Sequence, residues 1–86
     1  MPRLSRFYGI AIAMYYNDHA PPHFHAKYEE NEASIQIETL DYPRGNASAA
    51  SLLIVLEWAG QHRPELRENW ARAREGVPLV AIEPLE

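Results

Sequence analysis

Pro21 and Pro22 stand side by side inside the segment Asp18-His19-Ala20-Pro21-Pro22-His23-Phe24-His25. Neither has a backbone N–H to donate, each fixes φ near about −65°, and each pushes its predecessor into extended geometry. No helix and no centrally paired strand can run through such a pair. The chain must therefore bend here, and the elements on either side must be separate. The same eight residues hold three of the four histidines, so the bend is also where the sequence concentrates its chemistry.

Upstream, residues 7–16 are apolar, aromatic and β-branched, and they read as one inner strand. Tyr8, Ile10, Ile12 and Met14 would share one face. Phe7, Gly9, Ala11, Ala13 and Tyr15 would share the other, with small residues inviting close packing. Asn17-Asp18 supplies turn chemistry. Downstream, residues 23–28 alternate: Phe24, Ala26 and Tyr28 point one way, His23, His25 and Lys27 the other. A polar turn over residues 29–32 leads to a third, half-buried strand with Ala33, Ile35 and Ile37 inward. Residues 40–46, with Asp41, Pro43, Gly45 and Asn46, read as a connection.

The period then changes to that of a helix. Asn46 or Ser48 can cap it, and Leu52, Val55, Leu56 and Ala59 form one apolar stripe. Gly60 and residues 61–63 break the pattern before Pro64, a favoured first-turn residue of a second helix. That helix places Leu66, Trp70 and Ala73 on one face and a Glu68–Arg72 pair on another. Gly76 stops it and Pro78 prevents its continuation. Leu79 to Ile82 would add a short C-terminal strand. The expected fold is α+β: a small antiparallel sheet of three strands, with that short fourth one admitted, packed against two helices. Residues 1–86 form a single domain, with Trp58 and Trp70 as core anchors.

Composition narrows the function classes. There is no cysteine, which rules out a disulfide framework and thiolate metal ligands. No apolar run approaches the ~20 residues of a membrane span, and the N-terminal apolar run ends at Tyr15-Tyr16-Asn17-Asp18 without a cleavage-site pattern. A cytoplasmic location is expected. The net charge is −4, which argues against a generic duplex-DNA binder. Yet Arg3, Arg6 and Lys27 face a single acid, Asp18, within residues 1–27. An anionic ligand would meet this third of the chain, with Arg3, Arg6, Lys27, Tyr15 and Tyr16 as binding candidates, and RNA is an admissible partner.

Histidines at i and i+2 on a strand project from one face and can chelate a single ion. His23 and His25 are the metal candidates, with His19 as a third ligand across the diproline bend. Asp18 or His62 would be the fourth ligand or an orienting group. Zinc is the natural divalent transition metal for such a set, and three protein ligands with one open position is its catalytic arrangement. Alternatively His19, His23 or His25, partnered by Asp18, Tyr15 or Tyr16, is a general acid/base of the kind small metal-independent ribonucleases use. The same histidines also read simply as a solvated polar strand face.

Several motifs carry a family resemblance. Met1-Pro2-Arg3-Leu4-Ser5-Arg6-Phe7-Tyr8-Gly9-Ile10, Met14-Tyr15-Tyr16-Asn17-Asp18-His19 and Pro21-Pro22-His23-Phe24-His25-Ala26 resemble a bacterial family of short proteins, domain of unknown function 4160. Leu56-Glu57-Trp58-Ala59, His62-Arg63, Glu65-Leu66, Asn69-Trp70 and Ile82-Glu83-Pro84-Leu85 fit it as well. The match is looser over residues 40–49. The resemblance implies a small protein encoded beside another, in a toxin–antitoxin-like module, and acting through that partner. It implies no catalytic residue set. Separately, the small core, the short apolar C-terminal segment and an exposed sheet edge make a homo-oligomer an expectation for the protein alone. A histidine-dependent ribonuclease or metal-dependent hydrolase built on residues 18–25 is the competing expectation. A partner would need an exposed apolar surface, and residues 77–85 and the second face of the first strand are candidates for it.

Overall fold

The computed structural model describes residues 3–40, 44–45 and 49–85. Five strands form one antiparallel sheet in the order β1 (Arg3–Phe7), β2 (Ile10–Ala13), β3 (His23–Tyr28), β4 (Asn31–Gln36) and β5 (Arg44–Gly45). Two helices follow, α1 (Ala49–Gln61) and α2 (Arg63–Glu75). The α+β class expected from the sequence is the one observed.

The single strand expected over residues 7–16 is a hairpin. Phe7 pairs with Ile10, and the two residues between them, Tyr8 and Gly9, both have positive φ, 50° and 78°. Two consecutive left-handed residues make the tight turn whose twist suits a β-ribbon. Because the chain reverses there, Phe7 joins Ile10 and Ile12 in the core, while Tyr8 is left exposed. The β3–β4 turn is also tighter than expected. Tyr28 pairs with Asn31, so only Glu29 and Glu30 turn the chain, and β4 starts two residues before Ala33.

One face of the sheet packs on the helices. Phe7, Ile10, Ile12, Phe24, Ala26, Ala33 and Ile35 meet Val55, Trp58, Ala59, Leu66, Trp70 and Ala73 in one buried cluster. Trp58 is fully enclosed, with its ring centre 5.3 Å from that of Phe7 and 6.0 Å from that of Phe24. The helix break falls at His62, with φ −121°, inside the expected segment 60–63, and Pro64 sits in the first turn of α2. Gly76, φ 76°, ends α2: its N–H bonds Ala73 O and the Val77 N–H bonds Arg72 O, a Schellman pair. The capping candidates Asn46 and Ser48 lie outside the described residues.

Residues 79–82 do not form a strand. The Ile82 N–H donates to Leu4 O on β1 at 2.8 Å. The side chain of Asn69 takes both polar groups of Val80: it accepts from the Val80 N–H at 2.7 Å and donates to Val80 O at 2.9 Å. Trp58 Nε1 donates to Glu83 O at 2.8 Å. The tail expected to offer a docking surface is thus largely consumed by the fold, with Ile82 buried and Leu79 and Leu85 packed on the core. No described helix is long and apolar enough to cross a membrane.

Candidate metal centre

The opposite face of the sheet carries the histidines. His25 pairs with Ala13 on β2 and Ser34 on β4, and His23 pairs with Gln36. Directly paired residues share a face, so β3 and β4 build a polar floor of His23, His25, Ser34 and Gln36. The β2–β3 connection closes over one end of that floor. It is pinned where the Asn17 N–H donates to Ala73 O on α2 at 3.2 Å and where Pro22 O accepts the Ile37 N–H at 3.0 Å. The Ala20–Pro21 peptide is cis. This route brings Asp18 above the two strand histidines.

The carboxylate of Asp18 is the hub. Its Oδ1 accepts from the backbone N–H of His19 at 2.9 Å and lies 2.9 Å from His19 Nδ1. Its Oδ2 lies 2.9 Å from His23 Nε2 and 3.3 Å from His25 Nε2. The Asp18 and His23 side chains are only 17% and 7% exposed, whereas that of His19 is 84% exposed. Partial burial pushes the Asp18 carboxyl upward. The His19 N–H, the His25 ring and the nearby His23 together outweigh it and hold the group below its usual 3.8.

Proton counting at the two strand histidines is informative. His23 Nδ1 lies 2.8 Å from Pro21 O, a carbonyl that can only accept, so this nitrogen carries the proton. In a neutral ring, Nε2 then presents a lone pair to Asp18 Oδ2. His25 is flanked likewise, by Glu32 Oε2 at 3.1 Å from Nδ1 and by Asp18 Oδ2 at Nε2. Such arrangements need a cation between nitrogen and carboxylate, either an extra proton or a metal ion. A backbone carbonyl or carboxylate on the far nitrogen is also what orients metal-ligating histidines.

Asp18, His23 and His25 each offer one ligand atom, all within 4.8 Å of one another. Tetrahedral zinc with bonds of about 2.0–2.1 Å sets its ligand atoms about 3.3 Å apart. The 2.9 and 3.3 Å separations from Asp18 to the two rings lie close to that value, while the set as a whole spans up to 4.8 Å, so the two imidazoles must draw together to share one ion. A cavity of about 400 Å³ opens beside the cluster, lined by Tyr15, His19, Pro21, Ser34 and Gln36 as well as by the three ligand candidates. The Tyr15 ring meets His25 edge-on at 4.6 Å, and Trp70 lies 5.3 Å from His23.

Of the residues singled out from sequence, Asp18, His23 and His25 converge and Asp18 is a ligand candidate in its own right. His19 is at the rim, with its ring 5.3 Å from that of His23. His62 is not part of the site. It hydrogen-bonds Glu65 at 2.7 Å and lies 5.5 Å from the Trp58 ring, at the corner between the helices. Tyr16 is exposed and does not line the cavity. Arg3, Arg6 and Lys27 are exposed strand residues. Glu32 was hidden in the expected turn; a two-residue turn at Glu29-Glu30 places it diagonal to His25.

The fold and site define a small α+β domain with a histidine–carboxylate cluster on its sheet. Residues 9–71 match the family model described as Domain of unknown function (DUF4160), and the chain belongs to that family. No curated protein and no solved structure matches it.

Proposed function

We propose that this protein is a metal-dependent hydrolase in which Asp18, His23 and His25 hold one divalent transition ion. The observation that carries the reading is the convergence of two oriented imidazoles on one half-buried carboxylate, beside a cavity of ligand size. Two histidines and a carboxylate suit zinc and the other late first-row divalent metals, and leave coordination positions open. Such an ion supplies Lewis acidity and lowers the pKa of water. The chain supplies the rest. Pro21 O and Glu32 fix the two rings, Asp18 contributes a negative ligand, and His19 stands at the mouth with Nδ1 on Asp18 Oδ1 and Nε2 free to exchange a proton. Hydrolysis adds water across an ester: the water oxygen bonds to the reacting centre, and His19 passes the released proton to the departing oxygen.

Isothermal calorimetry at pH 7.5 tests the centre. Zinc, nickel or cobalt should bind one equivalent at micromolar Kd or tighter, and H23A, H25A and D18N should each lose it. Wild-type binding no tighter than about millimolar overturns the proposal.

A second reading, action through a separately encoded partner, draws support from one surface. Tyr8 and Leu53 are 62% and 69% exposed and border the same shallow depression with Ile54 and Leu85. Light scattering on the protein co-expressed with its genomic neighbour tests it; two independently eluting monomers at micromolar concentration remove it.

A further inference from the structure

The cations singled out from the N-terminal third fall on the same sheet face as the histidine–carboxylate cluster. Arg6 pairs with Ala11, and Ala11 pairs with Lys27, so Arg6, Ala11 and Lys27 form one rung across β1, β2 and β3. Arg3 pairs with Ala13, which pairs with His25, so the next rung joins a cation directly to the site. Lys27 stands two residues beyond His25, about 6.6 Å along the strand, and Arg6 two strands away, about 9.6 Å across. The residues between them are alanines, and they raise no wall.

These three cations differ from Arg63, Arg67 and Arg72 of α2, whereas Arg74 of the same helix is likewise exposed and without a carboxylate in ion-pair distance among the described residues. Arg67 binds Glu38 through two nitrogens, Arg72 binds Glu68, and Arg63 binds Ile37 O. Among the described residues, Arg3, Arg6 and Lys27 have no carboxylate within ion-pair distance. All three are exposed. Glu32 on β4 stands opposite Lys27 in register and bounds the positive strip on that side; from Lys27 the strip runs over Ala11 to Arg6, beside a cavity whose rim carries the aromatic Tyr15.

We infer that the substrate of the proposed centre is single-stranded nucleic acid, laid across β1–β3 with its phosphates on Arg3, Arg6 and Lys27 and one phosphodiester at the Asp18–His23–His25 cavity. The inference rests on the hydrolase reading for its reaction and on the strip for its ligand. Phosphodiesters match the strip in charge and in repetition, and Tyr15 offers a ring for a base to stack on. A cavity of about 400 Å³ admits one nucleotide and no duplex. In the reaction, the water oxygen bonds to phosphorus, the P–O ester bond breaks, and the departing oxygen takes the proton through His19.

The test separates the ligand from the metal. Fluorescence anisotropy of a labelled twelve-nucleotide oligouridine is measured with metal-free protein in EDTA, between 50 and 200 mM KCl. Three phosphate contacts predict a slope of log K against log salt of about −2, hence roughly 15–20-fold weaker binding over that range. R6E/K27E should abolish binding, and R6Q/K27Q should bring the slope towards about −0.7, while both retain the calorimetric zinc affinity of the wild type. Absence of binding, binding indifferent to R6E/K27E, or equal affinity for a duplex of the same length overturns the inference. Oligonucleotide binding by a wild type that takes up no zinc supports the strip and removes the metal centre.

Discussion

Asn69 holds Val80 by both of its backbone polar groups, accepting at 2.7 Å and donating at 2.9 Å, and its amide also reaches Glu65 O at 3.1 Å. The side chain does for the C-terminal segment what a neighbouring strand would do, from the buried face of a helix. N69A leaves the Val80 groups unpaired and loosens the Ile82 packing. It should destabilise the fold by about 2–4 kcal/mol. Hydrogen exchange checks the mechanism: protection should fall at Val80 and Ile82 and persist in β3. Uniform loss across the sheet would contradict it.

Glu38 and Arg67 make a two-pronged ion pair, both contacts 2.7 Å, between the chain after β4 and α2. The Arg67 hydrogen bonds hold the Glu38 carboxyl below its usual 4.5 despite a small opposing desolvation. Folding thus favours the ionised form. The pair's contribution to stability is present above pH 4.5 and is lost as pH falls through the lowered folded value. Carboxyl NMR titration should find the Glu38 midpoint below 4.5 in the wild type and shifted upward in R67A. Equal midpoints in the two proteins would refute the pairing. Both groups are exposed, so salt should narrow the difference.

Gly9 adopts φ 78° against the ring of Tyr28, and a Cβ there would lie 3.1 Å from Tyr28 Cε1. Two penalties await G9A, one of backbone and one of contact. The left-handed backbone alone costs an L-residue about 1–2 kcal/mol. In a Y28A background the contact disappears and only the backbone penalty remains, so the cost of G9A should be smaller there. Chemical denaturation of the four proteins gives the comparison; equal costs in both backgrounds would place the whole effect in φ.

These residues also show what could be read from the chain beforehand. The period-two alternation of β3 was legible because Phe24 and Ala26 face the core, even though His23 is buried on the other face, and the apolar stripe of α1 because that helix has one buried side. The hairpin at Tyr8-Gly9 was not, since apolar residues continue on both sides of the turn and tyrosine carries no turn signal. The reversal moves Phe7 to the core and frees Tyr8, an outcome that depends on one backbone conformation. His23 and His25 were legible as a chelating pair from their spacing alone. Asp18 was legible as a further ligand or orienting group. Its central position was not, nor was Glu32 as an orienting group, because both depend on register: on the two-residue Glu29-Glu30 turn, and on a connection anchored to Ala73 in α2. A buried polar residue such as Asn69 offers no periodic signal at all, because its partner lies in an irregular tail.

The histidine–carboxylate cluster makes the last prediction. If Asp18, His23 and His25 share an ion that the unfolded chain does not gather, zinc must raise the melting temperature by mass action. Free zinc at a hundred times Kd contributes about 2.7 kcal/mol. For a domain of this size that is about 10–20 °C. Imidazole ligands bind metal only when neutral, so the gain should shrink as pH falls from 7.5 to 5.5. H23A and H25A should melt at the same temperature with and without zinc. H62A should keep the full gain, because His62 sits with Glu65 and Trp58 at the helix corner and not at the cavity. H19A should keep most of it as well, since His19 stands at the rim. A zinc-induced rise that survives H23A, or one that H62A removes, would place the ion elsewhere.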